Sequence, residues 1–393
     1  TGVGSSEASG VSERFNGVDI PAEQWAAFEN CTRQADDNVE KTILLSPNGS
    51  TIPKWPEYIY FGQYEMETWF TAPYPEEYAN TKRMYICEFC LKYMKSVKHL
   101  IAHARKCDKW HPPGREIYRK DDLSVFEVDG NQEQMYCQNL CMLAKLYLDH
   151  KTLYYDVEPF LFYVATKNDK QGCHFIGYFS KEKYSAQKFN LSCIVTIPAY
   201  QQQGYGRFLI DFSFLLTRRE GLTGSPERPL SDLGRLAYAS YWRVPVIEYI
   251  HKMTTQGRPI VLAVPEMARE TGISIYDIAE VMDALGFISK NEDGDGVFIH
   301  YEQLLEQYCT RFSSSTSKRI WLDESALKWS PTTYTPSKDY AMRSPVPMVS
   351  PTTTANAFQP SGVPLAAFGS TIKRATTSGA SNNVSATAAA AAA

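Results

Sequence analysis

One short stretch has the residue types and the spacing of a metal site. In "CEFCLKYMKSVKHLIAHARKC", Cys87 and Cys90 bracket two residues, His103 follows after twelve more, and Cys107 after a further three. Three thiolates and one imidazole match a tetrahedral zinc site, and four protein ligands leave no open position, so the metal would staple the fold. His99 is the weaker ligand candidate. Val97, Leu100, Ile101 and Ala104 recur at helical spacing, which puts His103 and Cys107 on one helical face. Lys92, Lys95, Lys98, Arg105 and Lys106 lie close by, so a weak nucleic-acid contact is the secondary expectation for this finger.

A second stretch, "NLSCIVTIPAYQQQGYGRFLIDFSFLL", combines a thiol with a glycine-spaced turn. Residues 193 to 197, "CIVTI", are β-branched and apolar and suit a buried strand; Pro198 stops the ladder. "QQQGYGRFLI" then turns into a helix with Phe208, Phe212 and Leu215 on one face. Gly204 and Gly206 let the backbone approach a ligand closely, and the free N–H groups of the helix start favour the phosphates of a nucleotide-like cofactor. Cys193 is either a small core residue or, with an adjacent base, a nucleophile. Cys137 and Cys141, four apart among Leu140, Leu143, Ala144 and Tyr147, read as the core face of a helix and not as a metal pair.

The elements around these sites follow from composition and pattern. A chain of 393 residues with 44% hydrophobic and 13% aromatic content buries a large core in two or three domains. A net charge of -4 gives no global attraction to nucleic acid. No stretch reads as a membrane span and "TGVGSS" has no signal-peptide pattern, so the expectation is a soluble intracellular protein without membrane contact. Nine cysteines, an odd number scattered through a large chain, point to reduced thiols. Residues 1–52 and the Ser/Thr/Pro/Ala-rich tail 330–393 read as disordered. Between them, "YIYFGQYEMETWF" (58 to 70) reads as a strand and "SVFEVDGNQEQMYC" (124 to 137), with its Asp-Gly step, as a hairpin. "SIYDIAEVMDALG" offers Ser274 as N-cap, Asp277 at the capping-box position and Gly286 as a stop.

Several long blocks in order carry a resemblance over about residues 53 to 329: "CEFCLKYM", "PPGREIYRKDDLSVFEVDG", "YCQNLCMLAKLYLDHKTLYYDVEPFLFYV", "GYFSKEK", "SPERPLSDLGRLAYASYW" and "LKW". They resemble the MYST family of histone (lysine) acetyltransferases, and most its males-absent-on-the-first (MOF-like) branch. The resemblance implies an α+β fold: strands and a CCHC-type zinc finger over 53–123, an N-acyltransferase core binding acetyl-coenzyme A over 124–243, and a helix-turn-helix-like region over 244–329. It also implies a nuclear enzyme that acetylates nucleosomal histone tails, in particular that of the fourth core histone, together with non-catalytic subunits.

By the same resemblance Glu227 matches the general base, Cys193 the active-site cysteine, and Lys151 the autoacetylated lysine. Cys193 would act as a covalent acetyl carrier or line a site of direct attack. Taken alone, Glu227 is a loop charge and Lys151 a solvated charge beside a helix end. The cofactor positions implied are Ile194, Val195, Thr196, Gln201, Gln202, Gln203, Gly204, Tyr205, Gly206, Arg207, Ser231 and Ser240; Ser231 also suits an N-cap. The chain departs from the family at Gln202 and Gln203, where a basic pair is usual, and at Ala199, where a second proline is common. Pro245 is expected to interrupt and kink the helix after the "SYW" block. No segment resembles a chromo-barrel. The rival class is a zinc-containing chromatin-binding scaffold without catalysis, against which the intact Cys193, Glu227, Gly204 and Gly206 argue.

Overall fold

The computed structural model describes residues 56–78, 81–255, 263–290 and 319–332, with short pieces at 13–15, 18–20, 296–298, 305–308 and 310. The two end segments expected to be disordered fall almost wholly outside these residues. Among the described residues no helix is long and apolar enough to cross a membrane.

The N-terminal part is a four-stranded sheet. Strands β1 (Tyr58–Phe61) and β2 (Tyr64–Glu67) are antiparallel, β3 (Arg83–Ile86) runs parallel to β1, and β4 (Tyr93–Met94) closes the far edge. The single strand expected over 58 to 70 is thus a hairpin. Gly62 makes the turn at φ +57°, a conformation that glycine reaches without the Cβ penalty of other residues. Helix α1 (Val97–Ala104) follows.

The central sheet has five strands, all antiparallel, in the order β10–β8–β7–β6–β5. These are β5 (Arg115–Lys120), β6 (Leu123–Asp129), β7 (Phe160–Asn168), β8 (Cys173–Glu182) and β10 (Cys193–Thr196). The expected hairpin at 124 to 137 is half right. Its first half is β6, but the Asp-Gly step starts helix α2 (Gln134–Lys145). Asp129 Oδ1 accepts the Asn131 N–H and the Asp129 carbonyl accepts the Glu133 N–H, so the chain coils where a two-residue hairpin would have returned. The helical spacing of Cys137, Leu140, Cys141 and Ala144 then wins, and all four are buried as a core face.

Strand β10 is an edge strand with Val195 buried and Ile194 and Thr196 half-buried, less enclosed than its β-branched sequence suggested. Just before it, β9 (Phe189–Leu191) leaves the main sheet and pairs in parallel with β11 (Ser225–Pro226). Helix α3 (Tyr205–Arg219) is the wall between two cores. Phe208, Leu209, Phe212 and Leu216 belong to the sheet core, whereas Ile210 and Phe214 belong to a helical core built by α4 (Asp232–Thr255), α5 (Val264–Thr271) and α6 (Ile275–Ala284).

The helix-turn-helix expectation holds locally. Ser274 Oγ accepts the Asp277 N–H, and Gly272 and Gly286 sit at φ +75° and +74° past the ends of α5 and α6. Pro245 does not end its helix: α4 runs through it. An internal proline costs about 3 kcal/mol, which burial of Val244, Val246, Ile247 and Ile250 around it outweighs. The apolar stripe of α1 also differs from expectation, since Val97 and Ile101 are 49% and 51% exposed. What fixes that helix is its ligand-bearing end.

Candidate active site and metal centre

The metal candidates are brought together by a knuckle and a cap. After β3 the chain doubles back with the Leu91 N–H on the Cys87 carbonyl and the Cys87 N–H on the Lys92 carbonyl, which points both sulfurs one way. Ser96 caps α1 by accepting the His99 N–H, so His103 falls in the last turn. The helix ends at Ala104, before Cys107, but the Cys107 N–H still reaches the His103 carbonyl and keeps the two ligands together. The donor atoms of Cys87, Cys90, His103 and Cys107 all lie within 4.8 Å of one another, and Cys90 Sγ is 3.2 Å from His103 Nε2. A hydrogen bond from Cys90 holds the Cys87 thiol well below its ordinary pKa, while the same pairing pushes Cys90 up. Three sulfurs and an imidazole in a closed group fit zinc. His99 stays outside, with Nδ1 on Ser96 Oγ at 2.9 Å.

The second site forms where β9 hands over to β10. Cys193 opens β10 opposite Ser180 of β8. Lys151, expected as a solvated charge, is only 8% exposed, and its Nζ donates to Cys193 Sγ at 3.6 Å. Burial works to lower the Lys151 pKa, but the sulfurs of Cys193 and Cys141 outweigh it and the net shift is upward. Burial pushes the Cys141 thiol up as well, against the pull of the Lys151 ammonium. Cys141 was legible as a core residue but not as a neighbour of this lysine, because only tertiary packing brings α2 to the loop after it.

Glu227 reaches the same region through the backbone. Its N–H donates to the Leu191 carbonyl at 2.8 Å, two residues before Cys193, and the side chain is exposed. Arg228, next in the chain, is tied to Asp277 at 2.7 Å.

The cofactor candidates fall on β10, on the turn into α3 and along the first half of α4. Gln201 and Gln203 fold back on their own turn, donating from Nε2 to the carbonyls of Thr196 (2.9 Å) and Ala199 (3.0 Å). Gln202 stands at φ +57° and Gly204 at φ +93°. No side chain caps α3, so the first N–H groups from Tyr205 on have no partner within the helix. Thr196 Oγ1 is buried without a hydrogen-bond partner and lies 3.7 Å from where a Cβ on Gly206 would stand. An uncapped helix start and an orphaned hydroxyl facing a glycine fit an anionic ligand, such as the pyrophosphate of a coenzyme A thioester, in the turn. Arg207 carries its guanidinium 5.5 Å from the Tyr241 ring centroid and donates to the Ser240 carbonyl at 3.4 Å; burial pulls its pKa below the ordinary value. Ser231 Oγ accepts the Gly234 N–H as the cap of α4, and Ser240 lies exposed farther along the same helix, about 13 Å away by the rise per residue. Ile194 packs against both cores beneath the turn.

Comparison with known proteins identifies the family of both parts of the chain. The MOZ/SAS family matches residues 111–327, and the MYST family zinc finger domain matches residues 53–107. The human protein named histone acetyltransferase KAT6B is 54% identical over 278 residues, 71% of this chain and 13% of that protein. Histone acetyltransferase mst2 of Schizosaccharomyces pombe is 51% identical over 245 residues, 62% of this chain and 59% of that protein. Histone acetyltransferase MOF of Drosophila melanogaster is 42% identical over 280 residues, 71% of this chain and 33% of that protein. The chain thus spans less than two thirds of each of these relatives. Identity to MOF is lower than to KAT6B or mst2, so the MOF-like branch gains no support from them.

Proposed function

Because the chain belongs to the MOZ/SAS, or MYST, family, we propose that it is an acetyl-coenzyme A dependent histone lysine acetyltransferase. The observation that carries this reading is the contact of a buried lysine amine with a cysteine, Lys151 Nζ at 3.6 Å from Cys193 Sγ, with the Glu227 backbone bonded to Leu191 two residues before that cysteine. Acetyl-coenzyme A, when bound, supplies an activated acetyl thioester. The turn Gln201 to Arg207 and Thr196 would hold its pyrophosphate, with Ile194, Val195, Ser231 and Ser240 along the remaining path.

The incoming lysine arrives as an ammonium, since its free pKa is about 10.4, and must lose a proton before its nitrogen attacks. Glu227, exposed on the segment bonded to Leu191, takes that proton. The Lys151 ammonium donates its hydrogen bond to the Cys193 sulfur and so orients it, and in the covalent route Cys193 would carry the acetyl group. Acetylation of Lys151 would remove that charge, making the lysine both a modification site and a modulator of its neighbour. Zinc, held by Cys87, Cys90, His103 and Cys107, is structural. The division into 53–123, 124–243 and 244–329, the tail of the fourth core histone as substrate, nuclear localisation, non-catalytic partner subunits and a weak nucleic-acid contact by the basic finger complete the reading.

Steady-state kinetics on a histone-tail peptide test the roles. Glu227→Gln, nearly isosteric, is expected to lower kcat by about 10²- to 10⁴-fold with little change in acetyl-coenzyme A binding. Cys193→Ala separates the routes: a large loss supports the covalent one, and near-full turnover at saturating cofactor assigns direct attack.

A further inference from the structure

Asp277 is 1% exposed on α6, a place where a carboxylate costs stability unless it is paired. The Ser274 N–H that a capping box would give to this carboxylate goes to the Gly224 carbonyl instead, so the Asp277 side chain does not close the expected box. Oδ1 reaches instead to the Arg228 guanidinium at 2.7 Å, and Glu280, on the same helix, adds a second carboxylate at 3.5 Å. Arg228 follows Glu227 directly in the chain. Burial raises the Asp277 pKa, while Arg228 and nearby hydroxyls work against that rise.

The backbone around Glu227 is gripped from both sides. On one side, the Gly224 N–H donates to the Gly272 carbonyl at 2.9 Å and the Ser274 N–H to the Gly224 carbonyl at 3.0 Å, joining the turn between α5 and α6. On the other, the Glu227 N–H is bonded to Leu191 of β9, which runs into Cys193. The segment from Gly224 to Arg228 is therefore the strap between the helical core and the sheet core, and Glu227 sits on it.

We propose that Asp277 is a positioning residue for the reaction: through Arg228 it fixes where the Glu227 carboxylate stands relative to Cys193, so the C-terminal helices set the rate of proton removal. This rests on Glu227 as the general base. An exposed ion pair would contribute little, but here Asp277 is buried, so the pair holds its geometry and loss of Arg228 leaves a buried carboxylate uncompensated. A displacement of about 1 Å of a catalytic group is enough to cost about 10²-fold in rate.

The test is a set of variants of the full chain, each confirmed folded by circular dichroism and assayed with acetyl-coenzyme A and a histone-tail peptide. Asp277→Asn keeps the volume and is expected to lower kcat by at least about tenfold with acetyl-coenzyme A affinity unchanged. In a Glu227→Gln background the same substitution is expected to cost nothing further, because the group it positions is gone. Lys252→Gln, which breaks the exposed Lys252–Glu270 pair of the same helical region, is expected to leave kcat at the wild-type value. Should Asp277→Asn fail to fold, Arg228→Gln carries the same expectations. Wild-type kcat in the positioning variant, or an undiminished loss on top of Glu227→Gln, overturns the proposal. Full activity of Glu227→Gln alone would instead overturn the general-base reading, and it is read in a separate protein.

Discussion

At Gly204 the backbone stands at φ +93°, while at Gly206 an added Cβ would meet only Thr196 Oγ1 at 3.7 Å, so the two glycines act differently. A β-branched residue at 204 is strained before any ligand arrives, by about 1 to 3 kcal/mol. Gly204→Val is accordingly expected to abolish acetyl-coenzyme A binding in calorimetric titration. Gly206→Ala is expected to melt no lower than wild type, since alanine favours a helix, yet to bind cofactor more weakly because the methyl group fills the approach to the turn. Equal melting losses in both variants would refute the distinction. Gln202→Arg with Gln203→Arg, which restores the family's basic pair, is expected to tighten binding by less than about tenfold, fading near about 0.5 M salt. The Gln203 amide braces the Ala199 carbonyl, and an arginine forfeits that contact. At this scale the glycines, the capping serines and the metal ligands were legible because each acts within a few residues of itself. Lys151 was not, since its burial comes from β10 docking against the loop after α2, a contact between residues 42 apart.

Among the elements, the zinc knuckle and its link to the central sheet hold the most testable chemistry. Metal binding at a closed Cys3His group is coupled to folding, so one zinc per chain is expected by metal analysis. Cys90→Ser is expected to lose the metal, solubility and cofactor binding together, and folded, active protein without zinc would contradict this. Glu88, inside the knuckle, accepts from His174 Nδ1 at 2.8 Å, while His174 Nε2 meets Asp169 at 3.0 Å between β7 and β8. Burial works to lower the His174 pKa, but the two carboxylates outweigh it and the net shift is upward. A histidine with a raised folded pKa contributes stability that is complete below its unfolded value, about 6.5, and lost as pH rises through the folded value. Thermal unfolding is therefore expected to soften as pH rises above about 6.5 in wild type more than in His174→Gln. The knuckle was legible because all four ligands fall in one stretch. The 124 to 137 segment misled because an Asp-Gly step serves a hairpin or a helix start equally, and only the periodicity beyond it decides. The apolar stripe of α1 misled because ligands, not burial, anchor that helix.

Over the whole molecule, α3 divides a sheet core from a helical core, with the proposed reacting residues on two connecting elements: Cys193 at the start of an edge strand and Glu227 on the strap from Gly224 to Arg228. The composition predicted a large core, and the resemblance predicted its parts, but neither could place the strap, since it depends on contacts from β9 to α6. Pro245 illustrates the same limit, because a residue that breaks isolated helices is carried by packing on both of its flanks. The account's central claim is the proposed transfer of an acetyl group from acetyl-coenzyme A to a histone lysine through Glu227. Its most direct test is incubation of the purified chain with nucleosomes and isotopically labelled acetyl-coenzyme A, followed by mass-spectrometric mapping of labelled lysines in wild type and Glu227→Gln. The account predicts label on tail lysines, foremost of the fourth core histone, and a rate lower by about 10²- to 10⁴-fold in the variant. Unlabelled histones with folded, zinc-loaded protein, or equal labelling by both proteins, would contradict it.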